Sequence, residues 1–138
     1  MADQQPEITE QQAEEWVRSH YQAAAKYLAQ EGLILDMVHL QDSRYLAPYV
    51  AVWRFTTMNK KDVWIINGDV PTDMVAAKVA ADARSAMRHF ALQWQLKARV
   101  LEDKPNATAD ELEYATFLVG RAEMVYQTAD MDSLWNAN

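Results

Sequence analysis

YVAVWRFTTMNKKDVWIINGDVPTD, running from Tyr49 to Asp73, is the stretch whose reading decides the fold class. Two runs rich in Val, Ile, Trp, Tyr and Phe, Tyr49 to Thr56 and Val63 to Asn67, flank the polar linker Thr57 to Asp62. That composition predicts an antiparallel hairpin. Pro71, Thr72 and Asp73 then read as a helix start, because proline is tolerated in a first turn and Thr or Asp can cap its free amides. A two-stranded hairpin is marginal by itself, so helices must pack against it, with Leu33 to Leu40 available as a third strand. Residues 33–48 are ambiguous between a strand and a helical turn, since their apolar run is too short to show a period.

Three helices surround the hairpin in the sequence. Thr9 and Gln12 form a capping-box pair that opens the first, with Trp16, Val17, Ala24 and Leu28 on one face and Gly32 as its stop. The second is expected from Asp73 to about Leu101, with Val75, Val79, Ala83, Met87, Phe90, Trp94 and Ala98 as its main stripe. Thr108 and Glu111 form another capping box for the third, which should reach about Ala129 with Leu118, Ala122 and Val125 inward. Tyr114, Phe117 and Met124 make a smaller apolar strip on another side of that helix, and Met131, Leu134 and Trp135 could dock a final turn on the body.

Composition bounds the function. At 138 residues with half of them apolar, the chain supports one domain, with residues 1–8 as a polar arm. The absence of cysteine removes disulfides and thiolate chemistry. No leader-like start and no membrane-length apolar stretch is present, which points to a cytoplasmic location without membrane contact. A net charge of -7 has the wrong sign for a phosphate backbone, so no nucleic-acid partner is expected. The charge alternates along the chain: residues 1–32 carry -4, residues 73–101 carry +3 and residues 102–138 carry -6. This pattern suggests a cationic central helix flanked by the two acidic helices.

Candidate chemistry is thin. Asp69 and Asp73, four apart around the G-D-x-P-T-D turn, could hold a divalent cation, but carboxylates at a helix start serve equally as caps. Arg84, Arg88, Gln95 and Arg99 share a helical face that could bind an anion or pair with the acidic helices. His20, His39 and His89 lack any metal-binding spacing, and a partly buried, hydrogen-bonded imidazole suits His89 as well as catalysis does. No nucleophile elbow or phosphate-cradling glycine loop occurs, so neither a cofactor nor a metal is expected. Trp53, Trp64, Tyr49 and Phe55 could stack on bases or sugars, or could simply fill the core on one side of the hairpin.

The runs Ser43 to Trp53 (SRYLAPYVAVW), Trp64 to Asp73 (WIINGDVPTD) and Arg88 to Gln95 (RHFALQWQ) resemble a small family of uncharacterised proteobacterial proteins of about this length, built on a domain of unknown function. The resemblance spans Trp16 to about Ala98; it implies a bacterial, cytoplasmic, single-domain protein and transfers no catalytic residue. The reading from the residues is an α+β fold, three main helices packed on a small antiparallel sheet. Two functions remain open. One is a non-enzymatic interaction protein, a homodimer or other homo-oligomer, or a binder of another protein, using Tyr114, Phe117 and Met124 or the hairpin aromatics. The other is a ligand-binding domain or enzyme whose cleft gathers Asp69, Asp73, Arg88 and His89 between the hairpin and the second helix.

Overall fold

The computed structural model describes residues 8–135, so all but the last residue of the expected arm lies outside the described part. In chain order the elements are α1 (Glu10–Gln30), β1 (Leu35–Val38), β2 (Arg44–Leu46), β3 (Val50–Thr57), β4 (Asp62–Gly68), β5 (Asp73–Ala76), α2 (Ala83–Glu102) and α3 (Ala109–Asp130). Short 3-10 turns cover Ala77–Val79 and Asp132–Leu134. The α+β class holds, with a sheet larger than a hairpin plus one strand. All pairings are antiparallel: β4 lies between β3 and β5, while β1 and β2 share the other side of β3. There β1 faces Phe55 to Thr57 and β2 faces Val50 to Val52. The Ala47–Pro48 bond in the turn from β2 to β3 is cis.

The layering follows from two-sided apolarity. Successive side chains of a strand point to opposite faces, and in β3 and β4 both sets are apolar. Val50, Val52, Trp64 and Ile66 join Met87, Phe90 and Trp94 of α2 and Leu118 and Val125 of α3 in one core. Ala51, Trp53, Phe55, Val63 and Ile65 meet Ala24 and Leu28 of α1 in a second. Neither face could be left in water, since each large aromatic ring removes on the order of 150–250 Å² from solvent. The sheet is therefore sandwiched between α1 and the antiparallel pair α2 and α3.

This corrects the expected arrangement of charged helices. α1 lies across the sheet from α2, so the acidic N-terminal helix does not flank the basic one; among the expected neighbours only α3 packs on α2. Arg84 and Arg88 pair with that helix's C-terminal end, Arg84 with Asp132 at 2.5 Å and Arg88 with Asp130 at 3.5 Å. Arg84 Nε also donates to the carbonyl of Ala129 at 2.6 Å, one of the free acceptors at the end of α3.

The start of α2 is the second correction. Asp73 opens β5, not a helix: Val75 pairs with Trp64, and Asp82 is the cap, accepting from Ser85 N at 2.8 Å. The Asp73 carboxylate instead accepts from the Met74 amide at 2.8 Å and from Trp94 Nε1 at 3.0 Å. Val79, expected in the core, is 45% exposed, whereas Ala77 and Ala80 are buried and the Ala80 carbonyl accepts from Trp64 Nε1 at 3.0 Å.

Other local readings match. Both capping boxes form, Thr9 with Gln12 and Thr108 with Glu111. Gly32 has φ +84, as a helix stop requires. Trp135 docks on the core, donating Nε1 to the Thr128 carbonyl at 3.1 Å between the guanidinium groups of Arg44 and Arg84. No described helix is long and apolar enough to cross a membrane.

Candidate functional site

The four residues considered for a cleft are only partly brought together. Asp73 and His89 line one small crevice of about 160 Å³ between β5 and α2, together with Phe90 and Gln93. Arg88 turns to Asp130, and Asp69 meets Arg121 of α3 at 3.4 Å. Asp73 is occupied as an acceptor for Trp94, which anchors β5 to α2. Such a crevice is smaller than the several hundred Å³ usual for a ligand pocket. Arg99 forms no ion pair among the described residues.

The hairpin aromatics divide cleanly by burial. Trp53, Trp64 and Phe55 are at most 1% exposed, so they are packing units; Tyr49 is 37% exposed. Of the α3 strip, Tyr114 and Phe117 are exposed and stack with ring centroids 6.2 Å apart. Their faces carry cations: Lys97 lies over Tyr114 and Arg121 over Phe117. Met124 is partly buried against the core.

A polar network joins the loop after β1 to β3 and β4, and no sequence spacing displays it. His39 Nε2 lies 2.6 Å from Thr56 Oγ1, and that hydroxyl donates to Asp62 Oδ1 at 2.6 Å. Thr56 has one proton, committed to the carboxylate, so the imidazole must be the Nε2–H donor in this arrangement. Arg54 adds contacts to Asp62 at 3.5 Å and Asp42 at 3.7 Å. The Thr56 hydrogen bond, with Arg54 behind it, holds the Asp62 carboxyl below the usual aspartate range. Proton direction disqualifies this as a nucleophile and base, because the histidine donates to the hydroxyl instead of accepting from it. Nearby, Ser43 Oγ donates to the His39 carbonyl at 2.8 Å and accepts from Arg54 N at 2.9 Å, so the network fastens the loop after β1 to β3. Only the strand register, which pairs Val38 with Phe55 and Thr56 with Asp62, brings these groups together.

The remaining unusual surface is apolar and helical. Leu92, Leu96 and Val100 are 51%, 52% and 69% exposed, four residues apart on the side of α2 away from its buried Met87, Phe90 and Trp94. Leu112, Val119 and Tyr126 of α3 are 43%, 40% and 49% exposed and recur every seven residues, along one flank of its buried stripe. In the sequence Leu92, Leu96 and Val100 recur as a row of their own, whereas Leu112, Val119 and Tyr126 fall at the same helical spacing as the core residues of α3. Among the described residues no group of three His, Asp or Glu side chains is placed to hold a metal.

Taken together, these features define a small α+β module whose sheet is covered on both faces. The chain belongs to the family described as Domain of unknown function (DUF4826), whose family model matches residues 10–135. No curated protein and no solved structure matches it.

Proposed function

We propose that this protein is a non-enzymatic interaction module that acts as a homo-oligomer, two copies pairing through the exposed faces of their α2 and α3 helices. The observation that carries this reading is the apolar surface of those two helices, where Leu92, Leu96, Val100, Leu112, Val119 and Tyr126 are exposed together with Tyr114 and Phe117. Single exposed apolar residues are ordinary, but a row repeating at helical spacing on each of two neighbouring helices is the kind of surface interfaces use. Charge favours a second copy as the occupant. α2 carries four bases against one acid, and α3 carries five acids against one base. In a two-fold arrangement a patch meets itself, so α2 of each copy can lie on α3 of the other and both contacts join opposite charges.

The alternative, a ligand-binding or enzymatic cleft of Asp69, Asp73, Arg88 and His89 between the hairpin and α2, draws less support, because Asp69 and Arg88 turn toward α3 instead. Sedimentation velocity from micromolar to submillimolar protein tests the preferred reading. The expected result is a concentration-dependent dimer that the double substitution Leu92→Glu and Leu96→Glu converts to monomer with an unchanged far-ultraviolet circular dichroism spectrum. A wild-type chain that stays monomeric across the whole range refutes it.

A further inference from the structure

A second apolar concavity lies on the other side of the sheet, away from α2 and α3. The first half of α1 and the strands β1 and β2 with their connecting loop enclose a groove of about 790 Å³. That is within the range of small-molecule sites, a few hundred to about 1,000 Å³. Its walls are Val17 and Tyr21 from α1, Val38 and Leu40 from β1 and its loop, and Tyr45 from β2, with Trp53 of β3 buried behind the two tyrosine rings. Leu40 is 57% exposed although the groove around it is apolar.

The aromatic floor is fixed in place. Tyr45 stacks on Trp53 at 5.4 Å with planes 27° apart, and Tyr21 meets the same indole edge-on at 5.6 Å. Trp53 Nε1 donates to Asn67 Oδ1 at 3.1 Å, and Asn67 Nδ2 donates to the His20 carbonyl of α1 at 2.8 Å, so one buried amide ties the indole to the helix above it. The hydroxyls of Tyr21 and Tyr45 have no hydrogen-bond partner among the described residues. A flat apolar body entering here meets ring faces already held in position, which reduces the ordering cost of binding.

Charge selects the chemistry of the occupant. Glu10, Glu14 and Arg18 line the groove on its α1 side, and Glu15 adds a third carboxylate on the adjoining surface. None of these four forms an ion pair among the described residues. Carboxylates outnumber the single guanidinium, and the whole chain is at -7, so the local and the long-range field both favour a cation. Electron-rich ring faces add to the same preference. We propose that this groove binds a small organic cation, its flat apolar body against Tyr45 and Tyr21 and its ammonium group toward Glu10 and Glu14.

Two-dimensional NMR of the full chain tests this with three matched probes: tryptamine, its neutral alcohol analogue tryptophol and anionic indoleacetate. Tryptamine should bind tightest and indoleacetate weakest, with shifts confined to the Trp53 indole N–H, Val17, Leu40 and their neighbours. Glu14→Gln should weaken tryptamine about two- to fivefold, the span of a partly exposed ion pair, and leave tryptophol unchanged. Leu40→Ser should weaken all three. Indoleacetate binding as tightly as tryptamine, or no probe shifting the groove, overturns the proposal. So do groove shifts that follow protein concentration without any probe, because they assign the groove to a second copy. The Leu92→Glu, Leu96→Glu chain should still bind tryptamine, so failure of the dimer and failure of this site are separately visible.

Discussion

Replacing Gly68 by alanine should be among the most damaging single changes in the sheet, although it adds one methyl group. Gly68 ends β4 opposite Val50 with φ +124, a region that side chains rarely enter. Holding alanine there costs about 1–3 kcal/mol. A Cβ would also lie 2.5 Å from the Tyr49 carbonyl oxygen and 2.9 Å from Val50 Cα, and both are backbone atoms. A carbon and an oxygen normally approach to about 3.3 Å at the closest, so strand β3 or its turn must move by most of an ångström. Moving Tyr49 O also disturbs the bond it accepts from Asp69 N at 2.8 Å. Overpacking of this kind costs about 1–3 kcal/mol more, for a total of about 2–6 kcal/mol. The other glycines separate the two contributions. Gly32 has φ +84 with nothing within 4 Å, so alanine there should cost the strain alone, about 1–2 kcal/mol. Gly120 is helical and open, and alanine should stabilise by about 0.5–1 kcal/mol. Urea unfolding of the three variants gives the comparison. If Gly68→Ala loses no more stability than Gly32→Ala, the close approach of Tyr49 is not real and the reasoning fails.

The site that displaces the expected helix start makes its own prediction: Trp94→Phe keeps an aromatic side chain but removes the donor to Asp73 and some buried volume, and should cost at least about 1–3 kcal/mol in urea unfolding. An unchanged midpoint would mean that β5 is held by its ladder alone. Acid should destabilise the chain through three carboxylates held below their ordinary values: Asp62 by Thr56, Glu111 by Lys104 and Asp132 by Arg84. In each case the unfolded chain takes up the proton first, so these contributions are complete above the ordinary values of 3.8 to 4.5 and disappear as pH falls through the lowered ones. Urea midpoints should therefore hold steady from neutral pH to about pH 5 and then fall, with a shallower fall in an Asp62→Asn, Asp132→Asn chain. A midpoint that rises on acidification contradicts the assigned pairs.

What the sequence discloses is what is local. Thr9 with Gln12 and Thr108 with Glu111 each satisfy amides within one turn, so the starts of α1 and α3 need no knowledge of the rest of the chain. The hairpin is legible for the same reason. β5 is not, because Asp73, Val75 and Val79 fit a helical spacing as well as a strand, and only the free side of β4 decides between them. Charge blocks misplace α1 because attraction between helices carries no information about which face of a sheet each covers. The better signal was in β3 itself: VAVWRF is apolar at both alternating sets of positions, which demands a cover on each face. The candidate surfaces were half visible. Leu92, Leu96 and Val100 stand out by period, whereas the groove beside Tyr45 depends on β2, three residues with no pattern to read.

The sheet's borders bear on how copies of this chain can meet. β3 is eight residues long, yet its outer side is taken by two short pieces, one of four residues with a register shift between Leu35 and Met37 and one of three. On the far border β5 offers four residues. A neighbouring chain therefore finds no long, regular row of free amides and carbonyls to extend, which is how natural proteins discourage strand-by-strand fibre growth.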